Sequence, residues 1–213
     1  MNNTSEDLSN SFFNFLNDYK LIILVAAVLC LIGAIGYSFY LNSKADKNSE
    51  AADLFVQLSS KYAIEEKDEA LLDALHEKLE TEYGNTGFAK LSLILKARHL
   101  RDHQDLKKAL EVYYEIIKKT DGIFGDDLFN SMARINVAQI ENSLNNFDAA
   151  LTALQGLSNL NDSLVLEIMG DAQAGLGSND AATASYSKAL DMEQSEEVKV
   201  MLQSKISLLN NSK

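Results

Sequence analysis

Residues 163–190 read SLVLEIMGDAQAGLGSNDAATASYSKAL, and this stretch decides the fold. It divides into two segments with helical periodicity around a polar turn, Gly177-Ser178-Asn179. Gly170 in the first segment and Ala182 in the second are small residues placed where two antiparallel helices would cross closely. Large side chains there would hold the helices apart. Tyr186 and Ala189 follow at the next positions on the second helix.

The same logic recurs upstream. Ala138 and Ala150 take the two small positions, followed by Leu154 and Leu157, with Asn145-Asn146 as the turn. Before them stand Ala97 and Ala109, followed by Tyr113 and Ile116, with Asp102-His103-Gln104 as the turn. In each window the small residues lie 12 apart, and the windows step by 41 and then 32 residues. A tetratricopeptide unit is such a hairpin, about 34 residues long. Three in tandem, each with its turn in place, predict an all-α stack of helical hairpins. The longer step holds Gly122, Ile123, Phe124 and Gly125, which read as an extended turn. A final amphipathic helix over about residues 195–209 would cap the stack. Residues 44–63 continue as a helix with Leu54, Phe55, Leu58 and Tyr62 at helical spacing. Residues 68–83 place Leu71, Leu72, Leu75 and Leu79 on one face, before Gly84-Asn85-Thr86-Gly87 breaks the pattern.

Residues 21–43, LIILVAAVLCLIGAIGYSFYLNS, carry no charge. As a helix they would span roughly 34 Å, enough to cross a hydrocarbon core. Tyr19 and Lys20 flank one end; Tyr37, Tyr40 and Lys44 flank the other, as suits the headgroup interface. The run is longer than the apolar region of a signal peptide, and its leader carries Glu6, Asp7 and Asp18. An uncleaved single-pass anchor is therefore expected. Lys20 alone precedes the helix, whereas Lys44, Lys47 and Lys61 follow it. Counted by the positive-inside rule, this leans toward a cytoplasmic domain by a small margin.

The chain of 213 residues carries a net charge of -12 and no proline or tryptophan. Beyond residue 43 there are 18 basic and 28 acidic residues. Such a surface repels phosphate backbones, which argues against nucleic acid as a partner. It serves solubility, or it attracts basic segments of a protein partner. Cys30, the single cysteine, lies in the apolar run, so the rest of the chain has no disulfide, thiol nucleophile or thiolate metal site. His99 and His103 are four apart, the spacing of a two-histidine metal site, but no third ligand is evident. They read as a polar helix end, and His76 falls on an acidic face without an evident partner. Gly175-Leu176-Gly177 lacks the preceding strand and the Lys-Ser/Thr pair of a phosphate loop. No catalytic, cofactor or metal residues are assigned, and no small-molecule substrate is expected. The residues that matter are structural: Ala97, Ala109, Tyr113, Ala138, Ala150, Leu154, Gly170, Ala182, Tyr186 and Ala189.

Several segments also resemble a known family. Phe12-Phe13 through Asn17-Asp18-Tyr19-Lys20 looks like an aromatic and basic stretch before an anchor. Glu82-Tyr83-Gly84-Asn85-Thr86-Gly87-Phe88-Ala89 looks like a turn into a first hairpin, with Gly84 where proline is common. Leu166-Glu167-Ile168-Met169-Gly170-Asp171-Ala172, then Gly177 and Ala181 to Ala189-Leu190, is similar to a helix of the form E-L-x-G-D, a turn, and an A-x-x-x-Y-x-x-A-L helix. Together these resemble the YfgM family, ancillary subunits of the SecYEG translocon in the inner membrane of Gram-negative bacteria. The resemblance implies a single-pass type II protein with a cytoplasmic head at residues 1–20 and a transmembrane helix at 21–43. It implies a linker helix and first amphipathic hairpin at 44–87, then tetratricopeptide-like repeats with a capping helix at 88–213, in the periplasm. Its implied partners are the SecYEG translocon, periplasmic chaperones and exported proteins, with no catalytic site. The alternative is an assembly factor for envelope complexes or cytochromes, or a regulator that sequesters a stress-response component.

Overall fold

The computed structural model describes residues 20–65, 68–122, 125–157 and 160–211; the side chains of residues 20–29, 31, 35, 36, 39 and 40 also fall outside that description. Among the described residues there are nine helices and no strand. They are α1 (Lys20–Ala63), α2 (Glu69–Tyr83), α3 (Gly87–Asp102), α4 (Leu106–Thr120), α5 (Asp127–Ser143), α6 (Phe147–Gln155), α7 (Ser163–Gly175), α8 (Asn179–Met192) and α9 (Glu196–Asn211). The chain divides into two compact units, Met1–Ala52 and Asp53–Lys213.

In the first unit, α1 carries the apolar run as continuous helix, with Cys30, Ile32, Tyr37 and Leu41 exposed. Among the described residues no helix is long and apolar enough to cross a membrane. The aromatic head at 12–19 lies outside the described residues.

In the second unit each helix from α2 onward packs against its successor, and α5 also packs against α7. That pattern is the signature of hairpins stacked in series, in which each repeat touches only its neighbours. The starts of α2, α3, α4 and α7 are set by short polar side chains that accept from backbone N–H groups left over in the first turn. Asp68 Oδ1 accepts from Leu71 N, Thr86 Oγ1 from Ala89 N, Asp105 Oδ1 from Lys108 N, and Asp162 Oδ1 from Leu164 N and Val165 N.

The three turns inside the hairpins share one geometry. Gln104, Asn145 and Gly177 all have positive φ, at 64°, 61° and 74°. The residue after each donates its N–H back to the first helix: Asp105 N to Leu100 O at 2.9 Å, Asn146 N to Glu141 O at 2.8 Å, Ser178 N to Gln173 O at 2.9 Å. These are left-handed C-terminal caps of the Schellman type. Only the third uses the glycine that this conformation favours. Replacing Gln104 with glycine is expected to raise stability by roughly 0.5–1 kcal/mol, by relieving the left-handed backbone of a residue with a Cβ. A higher denaturation midpoint in urea checks it; an unchanged or lower one contradicts the shared turn.

The longer step between the first two hairpins has its own closure. Gly125 N donates to Gly122 O, and Asp126 N donates to Thr120 O. Asn130 of α5 donates to Ile117 O and Thr120 Oγ1 of α4, and its Oδ1 accepts from Arg134 Nε at 2.7 Å. Arg134 also reaches Ala153 O and lies against Gly156, where any Cβ would run into the guanidinium. Helix α6 ends at Gln155. Leu157, expected on that helix, lies beyond its end yet still packs partly buried on the core.

Apolar cores form between these helices. One runs through α3 to α7, and another joins α7, α8 and α9 around Leu166, Ala182, Tyr186, Ala189 and Leu202.

Candidate protein-binding surface

The small residues of the three hairpins are buried where their helices cross. Ala97, Ala109, Ala138, Ala150, Ala182 and Ala189 have no exposed surface. Tyr113 and Leu154 are likewise fully buried, and the Tyr113 hydroxyl has no hydrogen-bond partner. Gly170 is buried with the Tyr186 ring so close that an added Cβ would stand 2.5 Å from Cε1.

A polar clamp, not anticipated from sequence, closes the third hairpin. The Tyr186 hydroxyl donates to Asp171 Oδ1 at 2.7 Å. Lys205 of α9 donates to the same oxygen at 2.6 Å and to Glu167 Oε1 at 2.8 Å, with its ammonium 5.4 Å from the Tyr186 ring centre. Burial first, then the bond to Asp171, raises the Tyr186 hydroxyl well above its ordinary pKa. Glu167 and Asp171 are four apart on α7, a spacing visible in the sequence. That Lys205 answers them from α9 is visible only in the fold.

A cleft of about 560 Å³ lies at the first hairpin. The end of α1 brings Tyr62; α2 brings Glu69, Leu72 and Asp73; α3 brings Lys96, His99 and Leu100. The turn brings His103, and α4 with its cap brings Asp105, Lys108, Glu111 and Val112. The Tyr62 and His99 rings are 4.6 Å apart, and those of His99 and His103 are 4.0 Å apart. Behind them the Tyr62 hydroxyl is hydrogen-bonded to His76 Nε2 at 2.8 Å.

His76 corrects the sequence reading. It is buried and partnered, because α2 turns Leu72, His76 and Leu79 inward and leaves Leu71 exposed. The inward set is spaced i, i+4, i+7; it keeps Leu72 and Leu79 of the expected leucine face, with Leu75 half-buried, and adds His76. Burial, then nearby Lys96, holds the His76 pKa down to about 4. Burial, then Asp73, pushes Tyr62 up to about 12. His99 is also held below its ordinary value, by burial and then by His103. Lys96 pairs with Asp73 at 2.9 Å, and that bond lowers the carboxyl pKa. Lys108 pairs with Asp105 at 2.9 Å.

The rings of the histidine pair lie against each other with their planes tilted by 42°. His103 Nδ1 donates to the His99 carbonyl at 2.9 Å, which commits one of its nitrogens. Among the described residues no group of three His, Cys, Asp or Glu side chains is placed to hold a metal. Gly175 and Gly177 sit at the turn between α7 and α8, with Gly175 against the Phe147 ring.

Comparison with known proteins agrees with this architecture. The family described as tetratricopeptide repeat-like domain matches residues 14–211. The chain belongs to that family. No curated protein and no solved structure shows a significant match. A tetratricopeptide repeat-like domain is typically a scaffold for protein–protein interaction rather than an enzyme, because its stacked helices offer an extended surface and no convergent reactive groups.

Proposed function

We propose that this chain is a single-pass inner-membrane scaffold at the SecYEG translocon, passing exported proteins to periplasmic chaperones. The observation that carries the scaffold part is the stack itself: three hairpins with equivalent turns, each burying small residues at its crossing. The anchor reading rests on the uncharged run at residues 21–43, carried on a 44-residue helix. The family match begins at residue 14, ahead of that run, so the run lies inside the matched region. The translocon and chaperone roles rest on the resemblance to the YfgM family. The basic residues on either side of the run lean the other way, toward a cytoplasmic domain.

Topology is the test. Cys30 is replaced by serine and a single cysteine is placed at Asp180, an exposed position in the first turn of α8. Cells with a permeabilised outer membrane are then treated with a membrane-impermeant maleimide. Labelling without breaking the inner membrane is the expected result. Protection until that membrane is broken would put the repeats in the cytoplasm and remove the translocon and chaperone roles. Co-purification from detergent separates the remaining readings: translocon subunits support this one, and an assembly machine or a response regulator supports the alternative.

A further inference from the structure

We propose that the cleft at the first hairpin binds an arginine side chain of a protein partner, held between tilted aromatic rings and carboxylates. The inference rests on the scaffold reading and gives that scaffold a chemical class of guest.

The floor is a run of three rings, Tyr62, His99 and His103, with centroids 4.6 Å and 4.0 Å apart and successive planes tilted by 52° and 42°. Its orientation is held from behind by the Tyr62–His76 hydrogen bond and from the side by His103 Nδ1 on the His99 carbonyl. A planar cation stacks on such rings and gains from the electron-rich face of tyrosine. Leu72, Leu100 and Val112 add apolar wall, which suits the methylene stem of a long basic side chain.

The charges decide the sign of the guest. The cleft carries two lysines and four carboxylates, Glu69, Asp73, Asp105 and Glu111. Lys96 is occupied by Asp73, and Lys108 by Asp105. Neither Glu69 nor Glu111 makes a salt bridge among the described residues, although both lie near enough to raise the Lys108 pKa. Two carboxylates are thus left over at the walls of an aromatic-floored recess. Arginine meets both features at once, since its guanidinium stacks flat and offers in-plane donors to carboxylates at its edge. Lysine would satisfy the charge and miss the stacking.

The test uses the full chain in detergent micelles and two titrations. The first adds N-acetyl-arginine amide and follows the ring signals of Tyr62, His99 and His103 by NMR. Saturable shifts at these rings are expected, with affinity reduced fivefold or more in the Glu69→Gln/Glu111→Gln variant. The citrulline counterpart, which keeps the shape without the charge, is expected to give no saturable shift. Equal response to the citrulline compound, no ring response, or unchanged affinity in the double variant would overturn the proposal. The second titration adds a fluorescent unfolded polypeptide to the wild-type chain and the double variant. Weaker binding by the variant supports the cleft as the arginine site. Equal binding by both overturns the cleft and leaves the scaffold standing, whereas no binding by either chain counts against the scaffold itself.

Discussion

Replacing Gly170 with leucine is expected to lower stability by about 3 kcal/mol, the upper range for overpacking a well-fitted contact. The first atom of any side chain there would stand 2.5 Å from Tyr186 Cε1 and 2.6 Å from Cδ1. The ring has little freedom to retreat. Its hydroxyl is held by Asp171, and Lys205 lies over its face while bridging Asp171 and Glu167. Helix α8 would have to move off α7, taking with it the core shared with α9. For a chain of this size the loss corresponds to a melting temperature lower by roughly 6–12 °C. The Gly170→Leu/Tyr186→Ala double variant should recover part of it, because the ring is the obstacle. An unchanged melting temperature in Gly170→Leu would mean that the hairpin register is wrong.

Acid should cost the fold about 3 kcal/mol through His76 alone. Its ordinary pKa is 6.5, and in the folded chain it is held near 4. Between these values the unfolded chain takes up a proton that the native chain refuses. Stability is therefore complete above about pH 6.5 and falls as the pH drops toward 4; below that, this group adds no further loss. The cause is local: the ring is buried, bonded through Nε2 to Tyr62, and its Nδ1 has no partner to receive a charge. His76→Gln keeps a hydrogen-bonding group for Tyr62 and removes the titration. Denaturation midpoints of the two chains, compared at pH 7.5 and pH 4.5, isolate His76 from the carboxylates that titrate nearby. The wild type should lose more than the variant across that interval. Equal losses would mean that His76 is not buried in the neutral form.

These two positions differ in how readable they were. Gly170 is predictable because a small residue at a fixed offset from a polar turn has one strong structural reason, close helix crossing. His76 is not, because a lone histidine among acids looks solvated. Leu71 is exposed while Leu72, His76 and Leu79 are buried, and α2 packs on α3 with His76 hydrogen-bonded to the Tyr62 hydroxyl.

Local patterns determined the all-helical repeat class of the molecule: helical periodicity, polar turns and small residues 12 apart. Each is a property of neighbouring residues, so each survives being read along a line. The tertiary structure alone decided which distant groups meet. The Tyr62–His76–His99–His103 assembly draws on α1, α2, α3 and a turn, and Lys205 reaches Glu167 and Asp171 from 34 residues or more away. Such pairings follow from the angle and offset at which helices stack. That geometry depends on the volumes of all the buried side chains together, and no single stretch of sequence carries it.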